Sequence, residues 1–270
     1  MARFITVDSS WTVIFWRSYF ATIFLFVFMV LRDGPEKTLQ MFCAMGWPGL
    51  SVAFCFALAS TSFVVALSYT TVANILLIQA GVPLLAALLA WLLFGERSNT
   101  ATWIAIAAVV GGIGVMTSET LTGKISPVGD GLAILIALAF AIATVVTRHH
   151  AHVQMLPAVT LGTSMAAIFS MFLVKNYAVD MPDLAWLAAF GMVNLGLGLA
   201  VFSLGARLVP AALAALIGTM EPILGPVWVW LSHGEIPSQR TLMGGTIVFA
   251  ALISHLLLDW WRSSQVKQYK

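Results

Sequence analysis

A fourteen-residue pattern occurs twice in this chain, each time inside an apolar span. Residues 83–96 read PLLAALLAWLLFGE and residues 222–235 read PILGPVWVWLSHGE. Pro83/Pro222, Trp91/Trp230, Gly95/Gly234 and Glu96/Glu235 fall at matched places, as do Leu85/Leu224 and Leu92/Leu231. The copies lie 139 residues apart (222 − 83), about half of the 270-residue chain. A duplicated apolar unit points to two similar halves in a membrane, the way transporters are commonly built, with a site between the halves.

Composition identifies the solvent. The chain is 60% hydrophobic and 9% charged, against roughly 25% charged residues in a soluble domain. So few charges cannot cover a water-facing surface of this size, and a bilayer supplies the apolar environment instead. The net charge of +2 is too small to suggest nucleic acid, and the basic residues are scattered over short loops. Cys43 and Cys55 form neither a disulfide framework nor a CxxC motif.

A crossing helix needs about 20 apolar residues. Runs of this kind predict nine helices, near 12–31, 47–69, 72–94, 101–118, 128–147, 157–174, 184–206, 209–232 and 241–260. The linkers, such as residues 32–37 and 96–99, are short and carry most of the charge. Trp11, Trp47, Trp103, Trp186, Trp260 and Trp261 mark span ends, as interfacial belts do.

Placement of Lys and Arg predicts the orientation. With the first span running inward, eight basic residues lie on the inner side (Arg32, Lys37, Arg97, Arg148, Arg207, Arg262, Lys267, Lys270). Four lie outside (Arg3, Lys124, Lys175, Arg240), and Arg17 stays in the membrane. The positive-inside rule favours this sense and a cytoplasmic C-terminus. The two copies of the pattern close the third and eighth spans. Five crossings separate them, so they point in opposite directions, which makes the repeat an inverted one. Residues 1–120 are then the first repeat and 121–270 the second. The second holds five spans and the first four, so a further span is expected before residue 12. MARFITVDSS does not supply it and has no signal-peptide h-region or cleavage motif. A start site placed too far downstream, a truncation and a genuinely short member all stay open. The predicted fold is therefore an all-α membrane protein, with nine transmembrane helices in an incomplete 5+5 inverted-repeat bundle.

Several motifs resemble the EamA-like branch of the drug/metabolite transporter superfamily. FVVALSYTTVANILLIQAGVPLLAALLAWLLFGE (63–96) is similar to that family's third-to-fourth helix stretch. VFSLGARLVPAALAALIGTMEPILGPVWVWLSHGE (201–235) is similar to the second-half counterpart, with its Glu-Pro pair. Arg17 in FWRSYFA matches an arginine near the start of the family's second helix, and Gly129-Asp130-Gly131 matches the start of its sixth. The resemblance implies ten-helix carriers of two five-helix repeats, exporting or exchanging small polar or amphipathic metabolites.

Polar groups inside the spans are the candidates for a site, because an ionisable residue in a membrane should face protein or water. Glu221 falls at the middle of the span 209–232, and Pro222 and Pro226 free the carbonyls of Gly218 and Pro222. Glu221 either lines the path, binding a cationic group or carrying a proton, or is a protonated acid bonded to a neighbouring helix. The residue at its place in the first copy is Val82, where Asn74 and Gln79 supply the polar groups and Pro83 frees the carbonyl of Gln79. Asn74, Gln79 and Asn194 either line a cavity or bond between helices. Arg17 either snorkels, pairs with an acid or meets an anionic group of the substrate. Glu96 and Glu235 are expected to fix helix ends and gates. Tyr69 and Trp228 face lipid, packing or a cavity. Arg148-His149-His150-Ala151-His152 reads as a solvated loop, and no metal site or cofactor is expected. The expected partners are a small-molecule substrate and the lipid bilayer, with a homodimer left open and nucleic acid excluded. The chain has no GxSxG, HExxH or Walker A motif. An intramembrane enzyme is thereby disfavoured, while a non-transporting scaffold or receptor stays the alternative to a carrier.

Overall fold

Apolar runs bounded by glycine, proline and short polar loops become helices, and among the described residues the chain forms no strand. The computed structural model describes residues 5, 7, 9–96, 99–118, 126–150, 154–208, 220–234 and 237–268. The helices are α1 Ser10–Asp33, α2 Pro35–Ala44, α3 Gly46–Ala66, α4 Val72–Gln79, α5 Val82–Phe94, α6 Thr100–Thr117, α7 Pro127–His149, α8 Met155–Met171 and α9 Met181–Ala189. A π-helix, Phe190–Leu197, leads from α9 into α10 Gly198–Leu208, and α11 Met220–His233 and α12 Gln239–Gln268 follow.

Six helices among the described residues are long and apolar enough to cross a membrane, or seven if the bent pair α4 and α5 counts as one span. Two of the nine expected spans fall outside that number. One is α8, with 17 residues. The other is the expected span 209–232, of which only α11 is described and residues 209–219 are not.

Three features differ from the sequence reading. Residues 35–44, which lie between the first two expected spans and overlap the expected linker 32–37, form α2, which starts with Pro35 at its first position and ends before Gly46 at φ 52°. The third expected span is broken, with a 43° bend between α4 and α5. The seventh expected span contains eight residues of π-helix.

By its internal contacts the chain divides into two compact units: residues 1–68 with 142–208, and residues 69–141 with 209–270. Each unit draws residues from both sequence halves.

In the first unit α1 packs on α3, on α8 and on the π-helix. Ser10 bonds Ser68, and Arg17 bonds Ser60, so α1 and α3 run antiparallel. Trp11 stacks edge-on against Phe169 at 6.0 Å and the Thr22 hydroxyl donates to Thr163 at 2.9 Å, so α1 and α8 also run antiparallel. The α3–α8 crossing is tight because Gly162 has no side chain: a Cβ there would stand 2.6 Å from the Ala53 carbonyl oxygen.

In the second unit α6 and α12 cross with their backbones close together. A Cβ on Gly112 would stand 2.8 Å from the Gly244 carbonyl oxygen and 2.8 Å from Val248 Cγ2, and Gly244 in turn lies against Met116. Residue numbers rise along one helix as they fall along the other, so the pair is antiparallel. Ala80, Leu84, Ala105, Ile106, Val109 and Val248 form the buried apolar cluster beside it. Small residues that let backbones approach are the usual means of helix association in lipid, where no water is available to drive it.

Large apolar side chains point outward along the spans, among them Phe26 at 49%, Phe54 at 57%, Ile104 at 68%, Ile168 at 58% and Leu257 at 58% exposure. Faces of this kind would associate in water and are satisfied by lipid tails.

Candidate transport site

The second unit holds both copies of the repeated pattern. The first copy begins with a break. Thr71 caps α4, its hydroxyl accepting from the Asn74 amide at 3.1 Å. The helix ends at Gln79, where the Gly81 amide turns back to the Ile78 carbonyl at 3.1 Å, and α5 restarts with Pro83 in its first turn. Pro83 has no N–H to give the Gln79 carbonyl. Gly81 lies where α6 seats, since a Cβ there would stand 2.7 Å from Val109 Cγ1. Gln79 is half-buried, and its Nε2 is inaccessible with no acceptor. A bent span thus presents an unbonded amide donor and a freed carbonyl at the point where it breaks.

The two copies end alike. Gly95 caps α5 at φ 66° with its amide on the Trp91 carbonyl at 2.9 Å. Gly234 does the same after α11, at φ 65° and 2.9 Å from the Trp230 carbonyl. These left-handed positions suit glycine, which lacks the Cβ that would clash there. Glu221 occupies the first turn of α11 and is exposed, Pro222 beside it is half-buried, and Pro226 lies inside the helix. Gly225 lets α11 rest on α4, directly against the Leu76 side chain. Trp228 is exposed at 65% and Tyr69 at 46%. Glu96 is exposed just past the α5 cap, and Glu235 lies outside the described residues.

Asn74 turns out to be an interhelical residue. It is 1% exposed, and its Nδ2 donates to the Asp130 carboxylate at 2.6 Å and to the Thr70 hydroxyl at 3.0 Å. Asp130 sits in the first turn of α7, 4% exposed. Gly129 lets that turn close onto the Tyr69 carbonyl oxygen, 2.9 Å from where a Cβ would stand. Asp130 and Asn74 are 56 residues apart, and no spacing rule connects them. The sequence signal was only that an acid opens a long apolar helix. A cavity of about 340 Å³ opens beside Asp130, lined also by Thr117 and Ser118. Arg240 donates to the Ser118 carbonyl at 2.8 Å. Asp130→Leu is expected to leave an Asn74 N–H without its acceptor, costing ~1–3 kcal/mol. Asp130→Asn keeps an acceptor and should cost less. Thermal unfolding of the two variants in detergent compares them.

Arg17 and Asn194 belong to the first unit. Asn194 is exposed on the π-helix. Arg17 does not snorkel: it is 3% exposed and its Nη2 donates to the Ser60 carbonyl at 3.0 Å and to the Ser60 hydroxyl. Among the described residues no group of three or more His, Cys, Asp or Glu side chains is placed to hold a metal ion.

The EamA-like transporter family matches residues 1–118 and 127–257. The chain belongs to this family. An "uncharacterized transporter" of Archaeoglobus fulgidus is 25% identical over 246 residues, covering 90% of this chain and 85% of that protein. A crystal structure of a protein 16% identical in sequence matches with a TM-score of 0.62, over 95% of this chain and 91% of its own. At that identity the likeness concerns the fold alone. The apolar spans and the family together make this a multi-pass membrane protein and a membrane transporter by family.

Proposed function

We propose that this EamA-like protein is a secondary-active or facilitative carrier that exports small metabolites, amino acids or related amphipathic compounds, by alternating access. The observation that carries the reading is the broken span of α4 and α5, with the unbonded Gln79 amide and a proline at the break. Irregular backbone at membrane depth is tolerated where it meets protein or lines a cavity, and transporters bind solute at such discontinuities. α11, with Glu221, Pro222 and Pro226, supplies the matching element of the second repeat within the same compact unit. Gln79, Glu221, Tyr69 and Trp228 are the residues assigned to the path there; Asn194, exposed on the π-helix of the first unit, stays a candidate within that unit. Asn74 holds α4 to α7. Pro83 sets the break between α4 and α5, with Pro222 its counterpart in the second copy, and Glu96 follows the end of α5, with Glu235 its counterpart.

The division into inverted repeats, 1–120 and 121–270, has support in the packing. The offset of 139 carries α6, 100–117, onto 239–256, the first part of α12. An inverted repeat requires such equivalents to run in opposite directions, as α6 and α12 do. The same offset carries α1 onto the region of α8, and that pair is antiparallel too. We propose a bacterial inner membrane as its location, with the C-terminus cytoplasmic; the eight-to-four balance of basic residues supports that orientation.

The test is a comparison of metabolites released by cells with and without the protein. One or a few small amphipathic solutes should accumulate outside the expressing cells. Identical profiles over a broad metabolite range would remove the export reading.

A further inference from the structure

Arg17 is a membrane-buried cation with neutral partners. It stands seven residues inside α1, about 10 Å from the helix start at 1.5 Å per residue. Besides its bonds to Ser60, its Cζ stands 5.2 Å from the centroid of the Phe190 ring. Its Nε–H is buried without an acceptor, and so is the hydroxyl of Ser18 next to it. Among the described residues no carboxylate pairs with it; Asp33, which pairs with Arg32 and Lys37, lies at the far end of α1. A serine and an aromatic face return less than burial of a guanidinium costs, so a well-packed apolar residue would serve α1 better. A retained cost of this kind is the mark of a functional group.

The missing ingredient is one negative charge with acceptor oxygens. A guanidinium presents its Nε–H and Nη protons as a planar fork that matches a carboxylate. The other described basic side chains of this unit, Arg32, Lys37, Arg148 and Lys175, lie at helix ends or in a loop. One interior charge suits a monoanion and leaves a phosphate dianion half-neutralised. The Phe190 ring covers the guanidinium and opens the π-helix, a rare winding that recurs at functional sites. Gly191 permits this approach, because a Cβ there would overlap the Arg17 carbonyl oxygen.

We propose that Arg17, with Ser60 and Phe190, forms an anion subsite for the carboxylate group of a small amphipathic solute, closed in this structure by the Phe190 ring. The assignment rests on the carrier reading for its physiological meaning, and its binding test does not require transport. Purified full-length protein in detergent is titrated with a panel of monocarboxylates from acetate to 3-phenylpropionate, and with 3-phenylpropanamide as the uncharged counterpart. Saturable carboxylate binding is expected in the wild type, with the amide at least about tenfold weaker. Arg17→Met should lose carboxylate binding at least about tenfold while melting at or above the wild-type temperature. Arg17→Lys should retain part of it, and Phe190→Leu should bind about threefold tighter, because the ring no longer competes for the cation. No binding by any panel member, equal binding of acid and amide, or a large fall in melting temperature in Arg17→Met with carboxylate binding unchanged in Arg17→Lys and Phe190→Leu would overturn the proposal. Carboxylate binding without transport in liposomes would leave the subsite and remove the carrier reading. Transport indifferent to both solute charge and Arg17→Met would do the reverse.

Discussion

Gly244→Leu should abolish the folded, monodisperse protein. The backbones of α6 and α12 touch at Gly112 and Gly244, and a side chain on Gly244 would land on the Gly112 carbonyl oxygen and the Met116 side chain. A backbone carbonyl cannot rotate away as a side-chain tip can, so the helices must separate. Overpacking ordinarily costs ~1–3 kcal/mol, and here the separation also opens the cluster of Ala105, Val109 and Val248 behind the contact. Apolar burial does not compensate, because lipid is as apolar as the helix surface. Gly114→Leu is the control, since nothing lies within 4 Å of the position its Cβ would take. Size-exclusion profiles and thermal melts in detergent should show Gly244→Leu lost and Gly114→Leu retained. A Gly244→Leu protein that elutes and melts like the wild type would show that this crossing does not hold the fold.

Glu221→Gln should reduce transport at least about tenfold, equivalent to ~1.4 kcal/mol, while expression and melting temperature hold. Gln keeps the size and hydrogen bonding of the acid and cannot ionise or carry a proton. Glu221 is exposed at the start of α11, beside Pro222. An intramembrane acid in such a position is satisfied by a water-filled path or by solute rather than by lipid. If the residue instead serves as a neutral structural acid, Gln should be nearly silent. Glu221→Leu would then be the worse variant, because it strands the partner that the acid satisfied. Transport rates across a range of pH separate the cases: a wild-type rate and pH profile in Glu221→Gln would exclude this residue from the path.

Repeats and apolar runs are legible in the sequence, and features that depend on tertiary contact are not. Long apolar runs gave α1, α3, α6, α7 and the start of α12 close to their observed bounds. Pro83 marked the carbonyl of Gln79 as unbonded, and the helix ends at that residue. The matched glycines at 95 and 234 appear as matched left-handed caps. By contrast, α2 is short and half polar, and its charges read as a linker. The π-helix carries no signal, because its winding differs from α by a small change per residue that Phe, Gly, Val and Leu all accept. The Asn74–Asp130 bond joins two helices 56 residues apart. Arg17 invited a search for an acid, and its observed acceptors are a backbone carbonyl and a serine, groups too common in a sequence to single out.

On the carrier reading proposed above, this chain moves solute across a membrane without ATP, through a path that uses Glu221. Purified protein in ATP-free liposomes, loaded with the metabolites found enriched outside expressing cells, tests it most directly by counterflow of the labelled solute. Saturable uptake driven only by the internal solute is predicted, with Glu221→Gln at a tenth of the wild-type rate or less. Uptake no faster than in empty liposomes, or uptake that appears only when ATP is supplied, would contradict it.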